Sequence, residues 1–569
     1  MSKPKIRFVQ QSAEIEVHLP DGRVLSGPRG AYAGDFLKIV ADDLPAPVMG
    51  VIVNGELHEL TYPIQAESRL EPVTLADSDG ARIYRRSLTF LLEAAFSNLF
   101  APAALYIDHS VASGGLYCHL RGREPFTDSE LSILETEMRR LVESDLPFER
   151  REASVAEAIA YFESRNYPDK VHLLNHRRKP YVTLYSLADH LDYHHGYMVP
   201  STGYLKWFGL KPSNNGFTLR FPRRHEPTTL SDMQDFPKLL TAFRQYGNWL
   251  TRLGIDSVGA LDDAIQAGRS REIILVSEAL HEQYIADIAH QIAERRDGAR
   301  MVLIAGPSSS GKTTFSRRLA VQLLALGLSP YALELDSYFV DREKTPKDEN
   351  GQFDFEALEA LDLAKLGEHL KRMLAGQEVQ MPRYNFKDGK QEPGDVIQLR
   401  PGQILILEGI HGLNPNLIPQ ELSNRAYRIY VSALTQLNLD RHNRVSTTDS
   451  RLVRRIVRDA RERGYTAIQT IGRWESVRLG EKRHIFPYEE NADVMFNSAL
   501  VYELSVLRPL VEPLLRQVEF GTLEYIETKR LLAFLEWFLP VEADWIPDNS
   551  ILREFIGGSI LKDFRVWGQ

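Results

Sequence analysis

The sequence is short of several things. Among 569 residues there is one cysteine, Cys118, so no intrachain disulfide can form and a cysteine-rich zinc module is excluded. As a lone thiol Cys118 reads as a small buried hydrophobe rather than a nucleophile. No run approaches the roughly 20 apolar residues that span a bilayer. The longest candidate, 319–328, is interrupted by Gln322 and reads as an amphipathic helix. A basic excess is also missing: 68 Lys and Arg stand against 77 Asp and Glu, a formal charge of -9. That balance argues against a generally basic, nucleic-acid-coating chain while leaving room for local basic patches. The opening MSKPKIRF lacks the apolar core of a secretory signal, so a cytoplasmic location without a membrane partner is expected. No internal repeat or low-complexity tract is visible.

What is there is a globular mixture, 43% hydrophobic and 25% charged. At about 100–200 residues per domain the chain should hold three or four cores. The expected class is multidomain α/β. Residues 1–73 read as a β-grasp unit: IEVHL over 15–19 alternates with period two into Pro20-Asp21-Gly22, residues 34–44 look helical, and a strand ends in the Asn54-Gly55 turn. Residues 74–225 are mixed α+β, with helical spacing over 87–100 and a helix over 127–142 opened by Thr127 and Glu130 at capping-box spacing. Residues 226–290 read as a helical connector. Over 291–500 short apolar strands alternate with long helices, which implies a parallel sheet. Residues 501–569 form a helical extension.

The sharpest chemical signal is Gly306-Pro-Ser308-Ser309-Ser310-Gly311-Lys312-Thr313-Thr314, which follows an apolar strand and opens a helix. Its glycines let backbone N–H groups turn toward phosphate oxygens, and the helix N-terminus favours the negative charge. Lys312 can reach the terminal phosphates and the Thr313 hydroxyl can bind Mg²⁺. Two carboxylates, Asp336 and Glu408, end later strands, on the rim that should carry this loop. One there can serve Mg²⁺ and the other can take a proton from an acceptor hydroxyl. The stretch RLVRRIVRDARERG over 451–464 stacks guanidiniums at i, i+3, i+4 and i+7. It suits a lid that neutralises charge during transfer, and from charge alone it also suits a solvated or RNA-facing helix.

These residues resemble the uridine kinase and phosphoribulokinase family of P-loop kinases. The resemblance rests on GPSSSGKTTFSRRL, LDSYFVDR, FDFEALEALDL, MPRYNF, ILILEGIHGLN and RLVRRIVRDARERG in family order. It implies a P-loop parallel-sheet fold, ATP and Mg²⁺ as cofactors, and a nucleoside as acceptor, phosphorylated to the monophosphate. It further implies that Asp336 stands at the acceptor hydroxyl and Glu408 with Thr313 on the magnesium side. By the same resemblance Tyr338 and Asp354 lie beside the substrate, the latter on ribose hydroxyls, and Tyr384 and Phe386 cover the base. Arg455, Arg458 and Arg463 would form the lid. One departure stands out: pyrimidine-nucleoside kinases place a base-reading histidine soon after Tyr-x-Phe, and here Lys387-Asp-Gly-Lys-Gln-Glu follows. Kinases for another sugar or sugar phosphate, or an RNA-associated ATP-binding regulator, are the alternatives.

Residues 1–73 resemble a TGS domain. Residues 74–225 resemble the second additional domain of threonyl- and alanyl-tRNA synthetases through RSLTFLL, IDHS and VPSTGY. In those enzymes an H-x3-H pair and a Cys/His pair serve editing; here Arg86, Phe90, His194 and Met198 occupy the four positions. A non-editing module for RNA or a regulatory ligand is therefore expected. His190, His194 and His195 could bind a metal if His190 and His194 shared a helix face. Oligomerisation is left open.

Overall fold

A computed structural model describes residues 12–564 apart from 112–113, 214, 233–235, 296–298, 348–350, 352 and 386–387. The chain divides into two compact units. One comprises Met1–Asp235, Leu439–Arg444 and Glu519–Phe534; the other comprises Phe236–Asn438, Val445–Val518 and Leu535–Gln569. Among the described residues no helix is long and apolar enough to cross a membrane.

The first unit opens with a five-stranded sheet. Glu14–His18 pairs antiparallel with Val24–Pro28 and parallel with Ser68–Thr74, and the latter continues antiparallel to Val48–Val53. Val48–Val53 turns into Glu56–His58 through Asn54 and Gly55, both at positive φ, as a two-residue hairpin demands. Phe36 and Leu37 on helix Ala33–Lys38 fill one face with Val17, Val51 and Leu70. This is the β-grasp order. The helix stops at Lys38 and gives way to a 3-10 turn, Ala41–Asp43, shorter than the pattern over 34–44 suggested.

Helix Ser78–Phe100 begins nine residues before its apolar spacing does, because its first turns carry polar groups that remain half-buried. Its later turns sink Leu88, Phe90, Leu91 and Leu92 into the largest core of this unit. That core also takes residues from a four-stranded antiparallel sheet, in the order Gly209–Ser213, Gly216–Arg220, Gly115–Arg121, Ala104–Val111. Helix Asp128–Glu143 carries the capping box: Thr127 Oγ1 accepts from the Glu130 N–H and the Glu130 carboxylate accepts from the Thr127 N–H. Cys118 is fully buried and its thiol is pushed above the usual range by that burial.

The second unit holds a five-stranded, all-parallel sheet in the order Ser329–Glu334, Gln403–Glu408, Met301–Ala305, Ala426–Ser432, Val494–Asn497. Met301–Ala305 is buried throughout, and the strand reads as a continuous apolar run because helices cover both faces of such sheets. Being central, it places the following loop between the C-terminal ends of its two neighbours. Helix Lys312–Ala325 leaves that loop, and an antiparallel hairpin, Val379–Asn385 with Lys390–Ile397, stands apart from the sheet. Helix Thr447–Glu462 is not the one-sided arginine stripe that its spacing suggested. Arg454 lies fully buried with Nη2 donating to Glu503 Oε2 at 2.5 Å, and Arg451 is buried against Glu481.

Removing one member of such a buried pair leaves an uncompensated charge, at a cost of about 3–5 kcal/mol. Arg454→Ala should therefore lower the denaturant midpoint of the nucleotide-free protein markedly. Arg454→Met combined with Glu503→Leu should recover most of it. An unchanged midpoint for Arg454→Ala would refute this assignment.

Candidate active site

The loop 306–311 is shaped by what its glycines lack. A Cβ on Gly306 would run into the carbonyl oxygen of Val431, and one on Gly311 into Ile551. Gly311 takes φ +85° and Ser309 φ +58°, left-handed values that turn successive N–H groups to one side. The opposite side is tied down. Arg451 Nε donates to the Ser308 carbonyl at 2.8 Å, Arg454 Nη1 to the Ser309 carbonyl at 3.4 Å, and Ser498 Oγ to the Ser310 carbonyl. Among the described residues the buried hydroxyls of Ser309 and Ser310 have no hydrogen-bond partner. A loop whose carbonyls are held from behind, with spare hydroxyl donors and helical N–H groups ahead, fits a nucleotide's phosphates.

The groups in front are charged. Lys312 Nζ donates to the Pro307 carbonyl at 3.1 Å, and Thr313 Oγ1 donates to Glu408 Oε2 at 3.1 Å. Thr313 and Glu408, a hydroxyl beside a carboxylate, are oxygen donors of the kind Mg²⁺ takes. Burial pushes the Glu408 carboxyl up to about 7, Lys312 opposes this, and Glu554 adds to it. Asp336 follows strand Ser329–Glu334; although solvent-exposed, its carboxyl is raised by the crowding of protein atoms and by Glu334, against Lys312 and Arg463.

Three of the arginines share one carboxylate. Asp459 lies 3.3 Å from Arg455, 2.8 Å from Arg458 and 3.5 Å from Arg463. Arg455 Nη1 also donates to Ser308 Oγ at 2.6 Å. Three guanidiniums on one carboxylate give this edge of the loop a positive excess, tempered by Glu356 near Arg455 and Asp336 near Arg463, that suits an anion.

The acceptor-side expectations fare unevenly. Tyr338 is fully buried in the core, its hydroxyl 3.1 Å from His369 Nδ1, so the residue expected beside the substrate is a packing residue. An aromatic ring behind an apolar strand is drawn inward before it is available to a ligand. Tyr384 lies buried on the hairpin with its ring 5.5 Å from that of Phe339. Phe386 and Lys387 lie outside the described residues. Asp354 is half-buried, accepts from the Glu356 N–H at 3.0 Å and has His484 Nε2 3.8 Å away. The His484 ring is 5.9 Å from that of His411, whose pKa burial and His484 push down to about 4. His411 sat in plain view inside ILILEGIHGLN. His484, Glu481 and Glu554 had no motif around them.

Glu481 and Glu554 complete the loop's surroundings. Glu481 Oε1 accepts from the Ser308 N–H at 2.8 Å, and Glu554 Oε2 accepts from the Thr314 N–H at 3.1 Å. Both carboxylates therefore sit where phosphate oxygens would draw on the same donors.

Residues 301–505 match the Phosphoribulokinase / Uridine kinase family. This part of the chain thus carries a kinase-family domain, with the parallel sheet and phosphate loop already described. The N-terminal half is similar to a different group of proteins. The threonine–tRNA ligase of Geobacter sp. (strain M21) is 34% identical over 197 residues, covering 35% of this chain and 31% of the ligase. That of Desulforamulus reducens is 32% identical over 193 residues, covering 34% and 30%. The match therefore spans about a third of these relatives' length. Among solved structures, a D-glycerate 3-kinase from Cryptococcus neoformans is 17% identical, covering 36% of this chain and 88% of its own, with a TM-score of 0.24. A phosphoribulokinase from Rhodobacter spheroides is 16% identical, covering 35% and 70%, with a TM-score of 0.23.

Two outcomes follow for this site. Glu554→Ala should free the Thr314 N–H and remove a negative charge, so ATP should bind roughly tenfold more tightly, as a charge-assisted hydrogen bond of about 1.5 kcal/mol implies. Calorimetric titration with an unchanged affinity would overturn this. The second concerns pH. Glu408 holds its proton up to about 7 in the folded chain, well above its unfolded value near 4.3. The native state then binds more protons than the unfolded state between these values, and stability falls as pH rises through the window. Glu408→Gln should flatten that fall in the nucleotide-free protein, as read from melting temperatures at pH steps from 5 to 8. Parallel curves for both proteins would contradict it.

Proposed function

We propose that the second unit transfers a phosphoryl group from ATP to a hydroxyl of a ribonucleoside, giving the monophosphate, with Mg²⁺ as the metal. The observation that carries this reading is the sharing of one rim by three things: a phosphate loop pinned from behind, two carboxylates at neighbouring strand ends, and three guanidiniums gathered on one carboxylate.

The residues divide the work as follows. Gly306, Ser308, Ser309, Ser310, Gly311 and Thr314 present donors to the phosphates of ATP, and Lys312 adds a point charge. Thr313 and Glu408 would hold Mg²⁺, which when bound neutralises charge on the phosphoryl oxygens. Asp336 takes the proton from the acceptor hydroxyl as that oxygen bonds to phosphorus and the bond to the ADP oxygen breaks; its raised pKa makes it a better base. Arg455, Arg458 and Arg463 supply the charge surplus as negative charge shifts to the leaving group. Asp354 accepts hydroxyls of the acceptor, with His484 and His411 beside it in place of the histidine that is missing after Tyr384-Asn-Phe386. That missing histidine favours the second reading, a kinase for another sugar or a sugar phosphate.

The first unit we read as a module for RNA or a regulatory ligand rather than an editing hydrolase. Arg86 donates to the Tyr197 carbonyl, and Phe90 and Met198 are buried; none offers an imidazole or thiolate.

A coupled ADP-release assay across ribonucleosides, 2′-deoxynucleosides, sugars and sugar phosphates tests the proposal. Ribonucleosides should turn over, with loose base choice. Asp354→Ala should erase the preference over 2′-deoxy analogues, about tenfold or more when a buried acceptor loses its hydroxyl. Asp336→Asn should lower kcat at least about a hundredfold with little change in ATP affinity, whereas Glu408→Gln should raise the Mg²⁺ requirement. Turnover of sugar phosphates alone would transfer the case to the second reading.

A further inference from the structure

The first unit encloses a cluster of titratable groups that phosphoryl transfer leaves unused. Glu93, on helix Ser78–Phe100, is 2% exposed. Its Oε2 lies 3.4 Å from His190 Nε2, 3.3 Å from His194 Nε2 and 3.3 Å from His442 Nδ1. His442 Nδ1 is also 2.8 Å from Asp192 Oδ2. Donor atoms of Glu93, Asp192 and His194 all lie within 4.8 Å of one another. The three rings and both carboxylates are buried. The histidines do not sit on a helix face, as their spacing suggested: His190 is in strand His190–Asp192, His194 in the loop after it, and His195 is not among these contacts. His442 arrives instead, from Leu439–Arg444, the short segment that belongs to this unit.

Three features speak against a simple hydrogen-bonded network. One carboxylate oxygen has two lone pairs and here faces three ring nitrogens. Their separations from it are longer than the roughly 2.7–2.9 Å of charge-assisted hydrogen bonds, a length that His442 Nδ1 reaches only toward Asp192. The other oxygen, Glu93 Oε1, is buried without a hydrogen bond of acceptable geometry, although His194 Nε2 is 3.0 Å away.

The charge count points the same way. Lys170 Nζ lies 3.0 Å from both Asp192 Oδ1 and Asp440 Oδ1, all three side chains fully buried. Tyr193 donates to the second oxygen of Asp440 at 2.7 Å, and Arg441 pairs with Asp169. With that last pair neutral, Glu93, Asp192 and Asp440 carry three negative charges against the one of Lys170. A dication closes this difference without burying two imidazolium ions.

We propose that Glu93, Asp192 and His194, with His190 and His442 beside them, form a closed site for a divalent transition metal of the zinc class. Imidazole with carboxylate is the donor set such ions take, and Lys170 with Asp440 orients Asp192 from outside. With its donors buried, the site is structural and ties Leu439–Arg444 to helix Ser78–Phe100.

Elemental analysis of the full chain, purified without added metal and dialysed, should find about one zinc-class ion per chain. Stripping it with a strong chelator should lower the melting temperature, and Zn²⁺ should restore it. Co²⁺ added to the stripped protein should give visible ligand-field absorption. Glu93→Gln and His442→Gln should each weaken metal binding at least about tenfold, while far-UV circular dichroism and kinase turnover report whether the variants still fold. Glu16, His18 and Glu67 form a second, largely exposed group of donors, so Glu67→Gln is the control and should change nothing. A stripped chain that binds neither Zn²⁺ nor Co²⁺ would overturn the proposal. So would metal retained by His442→Gln and lost on Glu67→Gln.

Discussion

Three consecutive carbonyls decide the geometry of the second unit. Ser308, Ser309 and Ser310 each have the carbonyl oxygen bound from behind, by Arg451, Arg454 and Ser498. A peptide whose carbonyl is fixed has its N–H fixed in the opposite direction. The loop therefore aims the N–H groups of Ser309 and Gly311 away from these anchors before any ligand arrives, which removes an ordering cost from binding, while the Ser310 N–H donates to the Pro307 carbonyl at 3.3 Å. Arg451 and Arg454 are expensive in this role, since each is buried and needs its own carboxylate. Glu481 and Glu503 meet that need, and the glycine at 306 lets the strand carrying Val431 approach closely enough to complete the cradle.

The legible part of this architecture was the part written in short range. Met301–Ala305 and Gln403–Glu408 announced themselves as apolar runs, the phosphate loop through its glycines, the turn at Asn54–Gly55 and the cap at Thr127 through their spacing. What escaped was set by tertiary neighbours. The arginines of Thr447–Glu462 form one series at helical spacing, yet the structure separates Arg451 and Arg454, paired in the core, from Arg455, Arg458 and Arg463, gathered on Asp459. Arginine spacing alone does not distinguish the two sets: the partners of Arg451 and Arg454, Glu481 and Glu503, lie on other elements, whereas Asp459 lies on the helix itself. Tyr338 failed for the same reason, its position between Leu335 and His369 being decided by the core. Glu554 lies 240 residues from Thr314, beyond the reach of any pattern.

Carboxylates around the loop have a double consequence. Glu481 neutralises Arg451 and also takes the Ser308 N–H; Glu554 takes the Thr314 N–H and raises the pKa of Glu408. Without a ligand, the donors of the anion site are thus partly satisfied by the chain's own anions. This protects buried N–H groups from the cost of being left unpaired, and it sets a competition that incoming phosphates must win. The surplus on Arg455, Arg458 and Arg463 shifts that competition toward the more highly charged ligand, since a triphosphate gains more from it than a carboxylate does.

The first unit meets the opposite problem. Around Glu93 the fixed charges are in negative excess and enclosed, where water cannot screen them. Burying carboxylates is tolerable only when cations or metal ions answer them, and Lys170 answers one of three. Phe90 packs its ring 5.0 Å from that of His190 and 5.6 Å from that of His194, holding both imidazoles in place on the apolar side. Asp192 and Lys170 hold His442 from the polar side. Glu93, Asp192 and His442 thus reach one core from a helix, a strand end and a segment distant in sequence. With Glu93 on helix Ser78–Phe100 and His442 on Leu439–Arg444, their contact binds a segment distant in sequence to that helix.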